Sequence, residues 1–434
     1  MTEKYRAYTL RNFREMPQAQ YLSDEQIFDI EVVGQVFPFK TNNYVVDNLI
    51  EWDNIPHDPM FVLTFPQKGM LKKSHYDEMA GVIRAGSDPS VIIETADRIR
   101  WQLNPHPAGQ IEHNIPEYCG EKLEGMQHKY QETVLFFPNR GQTCHAFCTF
   151  CFRWPQFVGI EELKFAMKEV EPLIGYIREH QEVTDLLYTG GDPMVMRTKN
   201  IEEYIRPVLD ADIHHLKSIR IGTKALSYWP DRFVNDFDSD DLLFLFRDIV
   251  RSGRHLSIMA HFNHPNELIT PEVREAIKRI KGTGAEIRTQ TPLLRHINDD
   301  PRDLAEMWRE QVALGCVPYY LFVVRDTGAQ HYFGVPLVRA WEIYRDAYKN
   351  VSGLARTVRG PSMSAGPGKV QVLGVEEIYG SKVMVLDMLQ GRDPNWVKRP
   401  FFAKYDEDAM WLEELKPAFG AEKFFFEEEF FSVR

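Results

Sequence analysis

The strongest constraint in this chain is an alternation that begins at Val134. Short apolar runs recur, and a longer amphipathic stretch follows almost every one. The strand-like runs are VLFFP (from Val134), DLLYTGG (from Asp185), LKSIRIGT (from Leu216), HLSIMAHF (from His255), AEIRTQT (from Ala285) and VPYYLFVV (from Val317). Between them the helical candidates are EELKFAMKEVEPLIGYIREH, DDLLFLFRDIVRSG, PEVREAIKRIKGTG and PRDLAEMWREQVALG. Strands spaced by helices in this way predict βαβ units and a parallel sheet. Six units predict an α/β fold, a partial parallel (β/α)6 barrel, with function in loops at the C-terminal ends of the strands.

On either side the rhythm differs. Residues 1–125 are rich in Pro, Asp, Asn and aromatics. They hold shorter helical patterns such as SDEQIFDIEVVGQVF, HYDEMAGVIRAG and DPSVIIETADRIRWQL. The expected organisation is a helical N-terminal extension (1–125), the barrel (126–350) and a small C-terminal segment (351–434). That segment starts near RGPSMSAGPGK, has two strand-like runs, VQVLG and KVMVLD, and ends in an acidic, partly docked tail, AEKFFFEEEFFSVR.

Composition excludes several classes. With 51 Lys+Arg against 63 Asp+Glu the net charge is −12, which argues against broad contact with nucleic acid or an anionic membrane. The N-terminus is polar and no apolar run is long enough to span a bilayer. A cytoplasmic protein is the expectation. In that reducing setting, five cysteines in 434 residues are not a disulfide framework.

Three of the five fall in RGQTCHAFCTFCFRW, directly after the first strand: Cys144, Cys148 and Cys151. The spacing C-x3-C-x2-C lets one loop present three thiolates. A [4Fe–4S] cluster held by three has one iron open to a ligand. Zinc with three cysteines and water is the alternative, but no Cys or His pair follows at zinc-finger spacing. Further candidates lie at other strand ends: Gly190, Gly191 and Asp192 in a tight turn, His261, Asn263 and His264 in AHFNHPNE, and Gln290 in RTQTPLLRHIND.

The cysteine spacing, with Phe150 before the last cysteine, resembles the radical S-adenosylmethionine superfamily. The series TGGDPM, RIGTK, HFNHPNE, TQTPLLRHIND, VPYYLFV and GPGK, over roughly residues 100–375, resembles the lysine 2,3-aminomutase family within it. The resemblance implies a [4Fe–4S] cluster on Cys144, Cys148 and Cys151. It implies S-adenosylmethionine held near Gly190, Gly191, Asp192, His261, Asn263 and Gln290. It also implies pyridoxal phosphate attached to Lys369 in AGPGKV, its phosphate near Lys129. Thr133 stands where the family has a second arginine, and Lys224 is the candidate to supply that charge. Arg153 matches the arginine that receives the substrate α-carboxylate.

Two departures set this chain apart. Where lysine-specific members carry two aspartates for the distal ammonium, this chain has Arg325 and Ser362, and Asp326 faces the other way along its strand. A glutamate-like or neutral substrate is expected, with Arg325 on its distal group. There is no cysteine after Cys316, and Asp300 stands at the family's zinc-ligating barrel position, so no structural zinc is expected. Cys119 and Cys316 are assigned to packing. The resemblance implies an isomerase: an amino-acid 2,3-aminomutase working as a homo-oligomer, reduced by a flavodoxin or ferredoxin. The alternatives are a radical enzyme on the same scaffold without pyridoxal phosphate, and a non-catalytic iron–sulfur redox or sensor protein.

Overall fold

A computed structural model describes residues 4–430. Eleven of its strands form one sheet in simple chain order. They are β1 (Met126–Tyr130), β2 (Thr133–Phe136), β3 (Asp185–Tyr188), β4 (Ser218–Thr223), β5 (His255–His261), β6 (Glu286–Leu293), β7 (Val317–Val323), β8 (Arg359–Ser364), β9 (Gly368–Ile378), β10 (Ser381–Gly391) and β11 (Phe401–Lys404). All six sequence-predicted strands are present, as β2 to β7. From β2 to β8 each strand is parallel to its neighbour, and the pairs at either end are antiparallel.

Two features differ from expectation. First, the parallel run has a seventh strand, β8, whose sequence RGPSMS reads as a break because its composition is that of a turn. Second, the C-terminal strands extend the sheet instead of forming a separate closing piece. No ladder joins the ends among the described residues, so the barrel is not closed. A side chain nevertheless crosses the open side, since Lys129 on β1 donates to the Ala365 carbonyl just past β8.

The helices are α1 (Asp24–Val36), α2 (Lys73–Arg84), α3 (Pro89–Trp101), α4 (Glu171–Glu179), α5 (Thr198–Asp210), α6 (Ser239–Arg251), α7 (Pro271–Lys281), α8 (Pro301–Ala313) and α9 (Leu337–Lys349). The predicted helix over 161–180 is cut to its second half. Pro172 is tolerated only in a first turn, and Met167 is already paired under the end of β2, exchanging backbone hydrogen bonds with Phe137 and Asn139. The alternation leaves α5 and α9 unmarked, and they complete the units after β3 and β7. Asp300 caps α8 by accepting from the Arg302 N–H at 2.8 Å.

Period-two alternation sorts the strand residues. On β4, Ile219 and Ile221 are buried in the core between sheet and helices, while Arg220 and Gly222 face the concave side. A second apolar core joins α1 to α3 with Ala146 and Trp154 of the cysteine loop, and a third lies under β9 to β11. The tail docks there through buried Phe424 and Phe426; its last four residues, 431–434, lie outside the described residues.

Candidate active site

Parallel strands put all their C-terminal ends on one edge of a sheet, and the candidate residues collect there. The cysteine loop leaves β2 and is held mostly by the N-terminal region. Lys40 Nζ donates to the Cys144 carbonyl at 2.7 Å, Tyr5 Oη to the His145 carbonyl at 2.6 Å, and Asn42 Nδ2 to the same carbonyl at 3.2 Å. The backbone N–H groups of Phe147 and Thr149 bond to Lys40 and Leu63. Burial pushes all three thiols upward, Cys148 to about 12. Thiols so placed become thiolates only if a cationic centre binds them. A four-iron cluster fits that donor set, because each thiolate takes its own iron. Among the described residues, no group of three or more His, Cys, Asp or Glu side chains converges to hold a metal ion.

The Gly190–Asp192 turn is built against this loop. Gly190 has φ +146°, and a Cβ on Gly191 would stand 2.5 Å from both the backbone N and O of Thr143. The glycines are needed because chain meets chain, as well as for any ligand. Asp192 N–H donates to the Thr143 carbonyl at 2.7 Å. Its carboxylate accepts from Thr223 Oγ1 (2.7 Å) and from the N–H groups of Lys224 (2.8 Å) and Met194 (2.9 Å). Burial raises it to about 6 against those bonds. Asp192 thus ties the ends of β3 and β4 to the cysteine loop.

Lys224 does not line the cavity that holds Lys369. Its ammonium donates to Glu267 Oε1 (2.6 Å), Asn263 Oδ1 (2.8 Å) and the His261 carbonyl (3.3 Å). Glu267, which the sequence motif contains but does not mark as functional, is fully buried and needs this cation. The structure therefore removes Lys224 as a source of the missing phosphate charge. His261 Nε2 and Asn263 Nδ2 are buried with no hydrogen-bond partner in the protein. Buried polar atoms are rarely left so, and a polar ligand would satisfy them.

His261 and Gln290 line a cavity of about 280 Å3 on the concave face of the sheet. Lys369 opens onto it from β9. Its Nζ donates to Gln390 Oε1 at 3.0 Å and lies 4.1 Å from the Tyr320 ring. Burial, reinforced by Arg220 and Arg359, holds the amine down to about 7. Arg325 opens onto the same cavity. Its Nη2 donates to the Ser364 carbonyl at 3.0 Å, while its Nε is buried without a partner. Arg325 and Arg153 both stack on Phe152, at 4.9 and 5.0 Å. Burial draws Arg153 down to about 10 and Lys129 well below its ordinary range. Among the described residues, none of these four cations forms an ion pair with a carboxylate. Asp326 is turned away, bonded to Asn104 Nδ2 at 3.2 Å, and Ser362 Oγ points to the Leu321 carbonyl at 3.3 Å.

Arg220 is the functional candidate that motif reading missed. It lines the cavity, is paired with Asp185, and shares that carboxylate with Thr133. Its signal was positional: two residues before Gly222 on β4, hence on the same inward face.

No family model matches the chain. It is 31% identical over 353 residues to a protein of Aquifex aeolicus (strain VF5) named "Putative L-lysine 2,3-aminomutase", which covers 81% of this chain and 82% of that one. The chain belongs to the lysine 2,3-aminomutase family of radical S-adenosylmethionine enzymes. It is also 25% identical over 290 residues to an L-lysine 2,3-aminomutase of Methanococcus maripaludis, covering 67% of this chain and 64% of that one. A glutamate 2,3-aminomutase of Clostridioides difficile is 27% identical over 308 residues, covering 65% and 69%. Among solved structures, a radical SAM methyltransferase from Sphaerobacter thermophilus aligns over 81% of this chain and 93% of that one, with TM-score 0.36 and 13% identity.

For this aminomutase-family chain, the Gly191 contact makes a direct prediction. Gly191→Ala forces the turn off Thr143, at roughly 1–3 kcal/mol for overpacking. Thermal melting and iron uptake on anaerobic reconstitution should both fall, whereas Gly353→Ala, where a Cβ meets nothing within 4 Å, should leave the iron content unchanged.

Proposed function

We propose that this protein is a radical S-adenosylmethionine, pyridoxal-phosphate-dependent amino-acid 2,3-aminomutase acting on an acidic or neutral substrate, with glutamate-like amino acids favoured. The observation that carries the reading is the cavity itself. Lys369, held near neutrality, and Arg325, which has no carboxylate partner among the described residues, line a space bordered by Phe150 and Phe152 of the loop that holds the three cysteines.

When bound, the cluster with S-adenosylmethionine supplies a carbon radical, and pyridoxal phosphate carries the migrating nitrogen. The chain's own residues do the rest. Lys369, its amine held down to about 7, is the nucleophilic amine for the cofactor aldehyde. We assign Lys129 and Arg220 to its phosphate, Arg153 to the substrate α-carboxylate and Arg325 to the distal group. Cys144, Cys148 and Cys151 hold the cluster, with S-adenosylmethionine against Gly190, Gly191, Asp192, His261, Asn263 and Gln290. Phe150, Phe152 and Phe322 wall the cavity and keep water from a radical.

The wider reading divides the chain into a helical region, 1–125, a radical S-adenosylmethionine core, 126–350, and a C-terminal segment, 351–434, whose strands continue the same sheet. It is a cytoplasmic homo-oligomer fed electrons by a flavodoxin or ferredoxin, without nucleic-acid or membrane partners. No helix among the described residues is long and apolar enough to cross a membrane.

Three measurements test this. First, cofactor uptake by the apoprotein, followed by its absorbance band, should rise through about pH 7. An ordinary lysine would need a pH near 10. Lys369→Ala should abolish the band; a wild-type protein with no band but with S-adenosylmethionine cleavage would favour the pyridoxal-phosphate-independent alternative, and one that cleaves none the non-catalytic redox or sensor protein. Second, deoxyadenosine release by reconstituted protein across an amino-acid panel should be faster with glutamate than with lysine. Arg325→Gln should raise the KM for glutamate tenfold to a hundredfold, about 1.5–3 kcal/mol for a hydrogen bond to a charged group. Faster turnover of lysine by the wild type would refute the substrate assignment. Third, metal analysis of the purified protein should find iron and no stoichiometric zinc.

A further inference from the structure

Tyr228 lies in the short helix Ala225–Tyr228 that follows β4, and it is almost completely buried. Its hydroxyl lies 3.3 Å from Cys148 Sγ. The backbone is fixed, because the Tyr228 carbonyl accepts from Asn42 Nδ2 at 3.0 Å, the same amide that holds the cysteine loop. The Lys224 ammonium sits 4.5 Å from the centre of the Tyr228 ring. That ammonium is locked in place by Glu267, Asn263 and the His261 carbonyl. A cation over a phenol ring withdraws electron density and makes the hydroxyl a stronger donor.

We propose that Tyr228 donates an O–H···S hydrogen bond to the Cys148 thiolate of the iron–sulfur cluster, with Lys224 polarising it, and thereby raises the cluster's reduction potential. This rests on the cluster reading of Cys144, Cys148 and Cys151. A ligating thiolate only accepts, so the phenol is the donor. One electron from an external reductant makes the cluster more negative, and a donor on its sulfur stabilises that state. Tyr228 is a positioning and tuning residue in this role, and it also explains why Lys224 is committed here and not to a phosphate.

The test is a potentiometric titration of anaerobically reconstituted full-length protein, poised with dithionite and mediators and read by the electron paramagnetic resonance signal of the reduced cluster. Tyr228→Phe keeps the ring and removes the donor. At fixed potential its reduced-to-oxidised ratio should fall two- to tenfold, up to about 59 mV for one electron, with iron content unchanged. Site-specific 3,5-difluorotyrosine at 228, a more acidic phenol, should shift the ratio the other way. Equal midpoints in all three proteins, or shifts of the same sign, would overturn the inference. A wild-type protein that takes up iron but shows no cluster signal would overturn the cluster reading itself.

Discussion

Taking Lys129, Arg153, Arg325 and Lys369 out of bulk water has a cost of several kcal/mol per ion unless something compensates it. The protein compensates only in part. It sets the charges against aromatic faces: Arg153 over Phe137 at 4.5 Å, Arg325 over Phe152 at 4.9 Å, Lys369 over Tyr320 at 4.1 Å. A ring quadrupole attracts a cation without neutralising it. The positive charge therefore stays available to an incoming phosphate or carboxylate, which a protein aspartate at the same place would have consumed. One cation is pushed the other way. Burial, reinforced by Arg220 and Arg359, holds the Lys369 amine down to about 7.

The N-terminal helices are the wall that shapes the other half of the site. Their apolar core reaches into the cysteine loop through Ala146 and Trp154, and Lys40, Asn42 and Tyr5 hold its carbonyls. The loop also bonds to the Gly190–Asp192 turn. A loop pinned from two sides keeps three thiols in place before any iron arrives.

Much of this was legible in the sequence, and the remainder was not for identifiable reasons. The strands β2 to β7 announce themselves because a half-buried strand must alternate or run apolar. The cysteines stand out because three thiols at that spacing can reach one metal centre from a single loop. What stayed hidden depends on where side chains reach after a strand ends. Arg220 and Lys224 are the first and last residues of RIGTK. The strand period sends Arg220 into the cavity, while Lys224, already past the strand, crosses to a carboxylate, Glu267, that lies 43 residues on. No local pattern signals such a partner. β8 was hidden by its Gly and Pro, and the first half of the 161–180 helix by a pairing with β2 that only the folded chain makes.

The two ends of the site are satisfied to different degrees, and that difference argues where binding happens. Around Asp192, Thr223, Lys224 and Glu267 each charged group has its partners, so this end is a frame. Along the cavity, His261 Nε2 and Arg325 Nε have none, and neither Arg325 nor Lys369 pairs with a carboxylate among the described residues. Donors and cations buried without partners store free energy that only a ligand rich in acceptors can release. The amino acid with a second carboxylate that we propose, together with the cofactor phosphate, would supply acceptors to Arg325 and its neighbours. A lysine side chain would bring a further cation to Arg325 and add to the repulsion it should relieve.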